Sequence, residues 1–233
     1  MQIKTDGLVL RSAEYGESDR MVTLLTADEG KIGVNFKGVK KAGAKLAFAV
    51  QPFCFAEYVL AERGGRYTAT SASLYDGFYE LREDLVAFYA ASVVLEACDR
   101  LVFSGMDGRE SLLFAVKALT QIEEKGVQAL LAFFVRALEG AGYPLHLGDC
   151  PKCGKLLHGK LYFDFESGAF FCEDCKVGER ASESTYLTLR AAGGLKGEIS
   201  PDGVKRALRL VKSYFAYQTD SDLPALGELI RLL

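Results

Sequence analysis

The sequence predicts an α+β fold, in which a small closed β-barrel over residues 1–77 precedes a helical domain over 78–233. Three observations predict it. About five short runs of β-branched, aromatic and aliphatic residues fill the first 76 positions. From position 80 the apolar residues switch to a helical period. Two Cys-x-x-Cys pairs then bracket a module at 150–175 inserted among the helices.

The barrel strands are read at 7–10, 21–25, 32–36, 53–60 and 66–74. Asp28-Glu29-Gly30-Lys31 is the hairpin signal between the second and third runs, and Gly64-Gly65 separates the last two. Closure suits five short strands because it removes exposed sheet edges. The helical part opens with a helix over 80–103, carrying Leu81, Leu85, Phe88, Leu95 and Val102 near a 3.6-residue period. A second helix spans 109–125 and stops at Gly126. Val127, Leu130, Leu131, Phe134, Val135 and Leu138 form the stripe of a third, ended by the Gly140 to Pro144 segment. These three are expected to pack as an antiparallel body. After the cysteine module come a short helix at 185–192, one starting at Ser200-Pro201 and running to Tyr217, and a last apolar helix at 226–233.

Cys150-Pro151-Lys152-Cys153 and Cys172-Glu173-Asp174-Cys175 have zinc-ribbon spacing. Each Cys-x-x-Cys turn places two sulfurs on one side of an ion. The runs 161–164 and 169–171, joined by Glu166-Ser167-Gly168, form the hairpin that returns the second pair. Four thiolates fill a tetrahedral Zn²⁺ shell and leave no position for water or substrate, so the expected role is structural. A disulfide pair or a site that has lost its metal are the alternatives. His146 and His158 lie nearby as spare ligands or plain surface residues.

The chain has 233 residues and a formal net charge of −3, so nucleic-acid binding requires a local basic patch. One exists. Lys31, Lys37, Lys40, Lys41 and Lys45 are uninterrupted by acid, and Arg63 and Arg66 follow against only Glu57 and Glu62. With Phe36, Phe48, Phe53 and Phe55 interleaved, the segment has the composition of a single-strand-binding face, or of a solvated loop over core aromatics. A second basic stripe, Lys205, Arg209 and Lys212 with Arg206 adjacent, lies opposite Val204, Leu208, Val211 and Phe215 on the late helix. No P-loop, GxSxG, HExxH or kinase motif is present, and two histidines limit acid–base schemes. No catalytic residues are predicted, and the protein is expected not to be an enzyme. The polar N-terminus has no leader pattern and no apolar run reaches membrane-spanning length, which predicts a cytoplasmic protein without a membrane partner.

The run Gly7-Leu8-Val9-Leu10-Arg11, then Tyr15-Gly16-Glu17-Ser18-Asp19, Val22-Thr23-Leu24-Leu25-Thr26 and Gly30-Lys31 resembles the opening of RecO recombination-mediator proteins. Lys37-Gly38-Val39-Lys40-Lys41, Gln51-Pro52-Phe53 and the hairpin around Glu166-Ser167-Gly168 are similar too. The resemblance implies an OB-fold barrel, a helical domain and a zinc module. It further implies binding of single- and double-stranded DNA, annealing of complementary strands, and partnership with RecR and single-stranded DNA-binding protein (SSB) at the nucleoid. It maps DNA contacts onto Lys37, Lys40 and Lys41, with Arg11 and Arg20; Lys45 and Arg66 join them from the basic segment. The SSB C-terminal tail is expected on Val204, Arg206, Leu208, Arg209 and Val211. Ala42-Gly43-Ala44 departs from the more basic segment of many relatives and implies weaker DNA affinity. Two other classes stay open, an RNA-binding barrel with a zinc ribbon and a structural adaptor without nucleic-acid binding.

Overall fold

The computed structural model describes residues 1–233. Five strands, β1 (Gln2–Tyr15), β2 (Asp19–Thr26), β3 (Gly30–Phe36), β4 (Phe55–Arg63) and β5 (Arg66–Asp76), close into a barrel of order β1-β2-β3-β5-β4. Alternation decides which side chains fill it. Val22 and Leu24 from β2, Ile32, Val34 and Phe36 from β3, and Tyr58 and Leu60 from β4 meet inside with Val9. Leu8 and Leu10, on the opposite face of β1 from Val9, are also buried. That explains why β1 reads as a continuous apolar run at its centre. β1 is far longer than the four residues expected, because its polar second half continues as a hairpin arm with β2, out to the pair Tyr15 and Asp19.

The chain divides into two compact units, residues 1–84 with 94–120, and residues 85–93 with 121–233. Two helices contribute to both, α1 (Leu85–Leu101) and α2 (Arg109–Lys125). The expected single helix from 80 begins instead as a 3-10 turn at Glu80–Arg82, and the α-helix starts only at Leu85. Arg82 is held there by donating to the carbonyls of Pro52, at 2.6 Å, and Gly77, at 3.3 Å. In the first unit, residues 102–109 wrap the β2–β3 turn. Lys31 N donates to Phe103 O, Gly105 N to Glu29 O and Gly108 N to Ala27 O, and Arg109 pairs with Asp28. The wrap is so close that a Cβ on Gly108 would strike the Thr26 carbonyl.

The second unit contains α3 (Ala129–Gly140), a three-stranded ribbon of β6 (Leu161–Asp164), β7 (Ala169–Cys172) and β8 (Glu179–Ala181), then α4 (Glu183–Ala192), α5 (Pro201–Thr219) and α6 (Pro224–Leu232). The strand order is β7-β6-β8. The ribbon shares the helices' core. Phe163 and Phe170 are buried, the first edge-on to Tyr214 of α5 at 5.6 Å and the second against Tyr186 of α4 at 5.1 Å. Gly168 has φ +64°, and a side chain there would collide with Tyr214 and Pro144. α5 is capped by Ser200, whose hydroxyl accepts from Gly203 N, with Pro at its first turn, as the sequence indicates. No helix is long and apolar enough to cross a membrane.

Candidate nucleic-acid interface and metal centre

The alternation that sends Val22, Leu24, Val34 and Phe36 inward sends their neighbours outward. On β3 these are Lys31, Gly33 and Asn35, and on β2 Met21 and Thr23. The register sets Ala13 opposite Met21 and Arg11 opposite Thr23 on one side, and Thr68 beside Asn35 on the other. Arg66 lies two residues before Thr68 and shares its face. The result is an outward face of mostly small and polar residues around Met21, with Arg11 at one border and Arg66 at the other.

The lysine segment follows β3 directly. Lys37, Lys40, Lys41 and Lys45 are exposed on the loop after β3, while Val39 between them is buried and anchors it. The loop is ordered by short-range bonds. Lys41 N donates to Gly38 O and Ala44 N to Lys41 O. It is also tied to the tip of the β1–β2 hairpin. Asp19 Oδ1 accepts from Gly38 N at 2.8 Å, and Lys40 N donates to Ser18 O at 2.9 Å. Lys40 Nζ meets Glu14 at 3.1 Å.

The Gly38 amide holds the Asp19 carboxyl below the ordinary aspartate value, against the opposing effect of burial; Ser18, Asn35 and Lys37 add to the lowering. A carboxyl depressed on folding stabilises the fold above its unfolded pKa, and that contribution is lost as pH falls through the folded value. We therefore expect the Gly38 amide resonance to titrate with a midpoint below 3.8, the ordinary value, and Asp19→Asn to abolish that transition. A Gly38 resonance indifferent to pH in that range would show that the bond does not form.

Other predicted residues find partners that the sequence does not reveal. Arg11 Nε lies 3.5 Å from the buried carboxylate of Asp99, which Lys31 also meets at 3.3 Å. Lys31 additionally donates to the Asp99 carbonyl, so it is tied to α1. Arg20 donates to Ser12 Oγ at 3.1 Å. Phe36 and Phe53 are core residues and Phe48 and Phe55 are half-buried, so none offers an open stacking surface. On the late helix Val204, Leu208 and Val211 are buried, whereas Arg206 and Arg209 are exposed and Arg206 pairs with Asp202 at 3.1 Å.

The candidate metal centre is compact. The four sulfurs of Cys150, Cys153, Cys172 and Cys175 all lie within 4.8 Å of one another, and Cys153 Sγ and Cys172 Sγ are 3.6 Å apart. A tetrahedron with metal–sulfur bonds of about 2.3 Å needs its sulfurs about 3.8 Å apart, so the set fits one ion. Two tight turns build it. Cys150 N donates to Lys155 O and Gly154 N to Cys150 O; Cys175 N and Lys176 N both donate to Cys172 O. Lys155, just after the first turn, pairs with Asp174 at 2.7 Å, and Lys160, just before β6, pairs with Glu173 at 2.9 Å, so both bind the second turn. Burial raises the Cys150 thiol, but backbone amides of Cys172, Lys152 and Cys153 outweigh it and bring the value down to about 6. Burial and the neighbouring thiols push Cys175 up to about 12. Four such groups ionise together only when a cation neutralises them. His146 and His158 are exposed and lie outside the cluster.

The sequence matches two family models that together cover nearly all of it. "Recombination protein O N terminal" spans residues 1–78, and "Recombination protein O C terminal" spans 82–227. The chain belongs to the RecO family. It is 34% identical over 194 residues to the DNA repair protein RecO of Myxococcus xanthus, covering 82% of this chain and 79% of that one. For the RecO of Alkaliphilus metalliredigens the identity is 32% over 199 residues, with 84% and 81% covered. The RecO of a Nocardioides species aligns over 99% of this chain and 100% of its own length at 28% identity. The boundary between the two RecO matches, at 78–82, falls where the barrel gives way to the 3-10 turn and α1.

Proposed function

We propose that this RecO-family chain acts in DNA repair as a cytoplasmic, nucleoid-associated recombination mediator that binds single- and double-stranded DNA and anneals complementary strands. The single observation that carries the reading is the ordered loop of exposed lysines, bonded to the hairpin tip of a barrel whose outward face is bordered by Arg11 and Arg66. Phosphate attraction from such a surface is sequence-independent and salt-sensitive. Strand pairing is itself downhill, so the protein need only screen phosphate repulsion and raise the local strand concentration. No covalent step is required of it. The four cysteines hold a structural Zn²⁺, which supplies rigidity rather than chemistry because thiolates saturate its shell.

The RecO reading also brings RecR and SSB as partners. For the acidic C-terminal tail of SSB, the second unit offers a groove of about 590 Å³ lined by Val127, Ile199, Pro201 and Val204, with Lys125 and Lys205 at its polar edge. Arg206 and Arg209, exposed on α5, would assist from its flank, whereas Leu208 and Val211 are buried on the core side of the same helix.

The test is annealing of complementary oligonucleotides. The protein should speed it without ATP, leave the DNA covalently unchanged, and lose the acceleration steeply as salt rises. Strand cleavage or a requirement for ATP would overturn the reading. Binding to RNA in strong preference to DNA at matched salt would move the protein to the RNA-binding class.

A further inference from the structure

We infer that Tyr15 is a base-stacking residue that gives this barrel its preference for single strands over duplex. The inference rests on the DNA-binding reading above and adds to it the group that contacts bases. Tyr15 is the last residue of β1, at the tip of the hairpin, and 54% of it is exposed. A ring so placed contributes little to a core. By alternation it stands on the outward face with Ala13 and Arg11, continuous with Met21 and Asn35.

Its position beside the lysines is fixed twice. Asp19, directly opposite Tyr15 in the register, holds Gly38 N at 2.8 Å, and Ser18 O accepts from Lys40 N at 2.9 Å; Glu14, on the other face of the strand, holds Lys40 Nζ at 3.1 Å. The ring therefore stands at the hairpin tip to which the loop carrying Lys37, Lys40 and Lys41 is bonded. The supporting hairpin is paired up to this point, through Tyr15 and Asp19, and turns with Gly16 in the left-handed region at φ +64°. A strand whose phosphates lie on the loop lysines brings its bases to an aromatic surface already in place, which lowers the ordering cost of stacking.

The same barrel supplies a contrast. Tyr75 is equally exposed, at 52%, but its hydroxyl donates to Asp6 at 2.9 Å, its ring leans on Phe55 at 5.0 Å, and Glu57 lies close by. That carboxylate-rich setting repels a phosphate chain. Tyr15 also has carboxylates near it, Glu14, Glu17 and Asp19, but the loop engages two of them, Glu14 through Lys40 and Asp19 through the Gly38 amide, and leaves Lys37 and Lys41 exposed. Bases in a duplex are already stacked on each other and reach a protein ring only if flipped out, so Tyr15 favours the single strand.

The experiment measures binding of full-length protein to a fluorescent single-stranded oligonucleotide and to its duplex across a salt series. Tyr15→Ala should weaken single-strand binding about tenfold, within the roughly 5- to 150-fold that one stacked base is worth. Duplex affinity and the salt slope should stay unchanged, since every ionic interaction with the phosphates is retained. Tyr15→Phe should keep wild-type affinity, and Tyr75→Ala should have no effect. On an oligonucleotide of abasic sugars, wild type and Tyr15→Ala should bind alike. Equal losses on single strand and duplex would make Tyr15 a support for the loop, and unchanged single-strand binding would remove it from the interface; either overturns the inference while leaving lysine-dependent DNA binding standing. Wild-type protein that binds neither form at low salt overturns the parent reading together with this one.

Discussion

Removing the metal from the four-cysteine centre is expected to unfold much more than the two Cys-x-x-Cys turns. A structural zinc contributes on the order of 10 kcal/mol of apparent binding free energy in small modules, comparable to the whole stability of a typical domain, about 5–15 kcal/mol. The ribbon places Phe163 and Phe170 in the same core as Tyr214 and Tyr186, so its disorder withdraws packing from α5 and α4. Cys153→Ser, or chelation of the wild type, should therefore abolish hydrogen-exchange protection through 161–172 and reduce it in α4 and α5. Strands β1–β5 should stay protected. Protein purified without chelator should contain one zinc per chain by elemental analysis, released progressively as pH falls and the thiolates reprotonate. A metal-free protein with α5 protected as before would show that the ribbon folds independently. Absence of any metal would remove the zinc reading.

The second large effect is expected at the lysine loop. Lys40→Ala with Lys41→Ala should weaken binding to all DNA sequences alike, because phosphates carry no base identity. The slope of log affinity against log salt should shrink by about 0.7 for each phosphate no longer neutralised on single strands, or about 1.4 for the pair. Lys40 is already paired with Glu14, so its removal also leaves that carboxylate facing the strand. Glu14→Gln should accordingly tighten binding at low salt. An unchanged slope in the double variant would take these lysines out of the interface and make Lys205, Arg209 and Lys212 the better candidates.

Much of the architecture is legible in the sequence because it depends on local patterns. The alternation of Val22, Leu24, Ile32 and Val34 encodes an inward face, and the spacing of Cys150, Cys153, Cys172 and Cys175 encodes a ribbon. Features decided by distant partners are not. β8 is three residues, Glu179–Ala181, two of them charged, which form a strand only because β6 offers an edge. The pairing of Arg11 and Lys31 with Asp99 spans the barrel and α1, and no window of sequence contains both sides. The stripe Val204, Leu208 and Val211 looks the same whether it lines a groove or fills a core, and packing against neighbouring elements buries it. Tyr15 stands out in the sequence only as part of a motif, since exposure at a hairpin tip follows from strand length, which the polar arm of β1 conceals.

The barrel is closed by an unequal set of seams. β1 with β2, β1 with β4, β2 with β3 and β4 with β5 are long antiparallel ladders, whereas β3 meets β5 in parallel through only Val34 with Tyr67 and Asn35 with Thr68. This is the line along which the barrel opens most cheaply, since few bonds break there and parallel pairs are slightly weaker. Asn35 and Thr68 belong to the open face as well. A nucleic-acid strand laid from the lysine loop toward Arg66 would cross that line and act as an external stitch on it. Binding and resistance to local opening would then be thermodynamically linked, with the ligand stiffening the one joint that the chain's own backbone leaves thinly sewn.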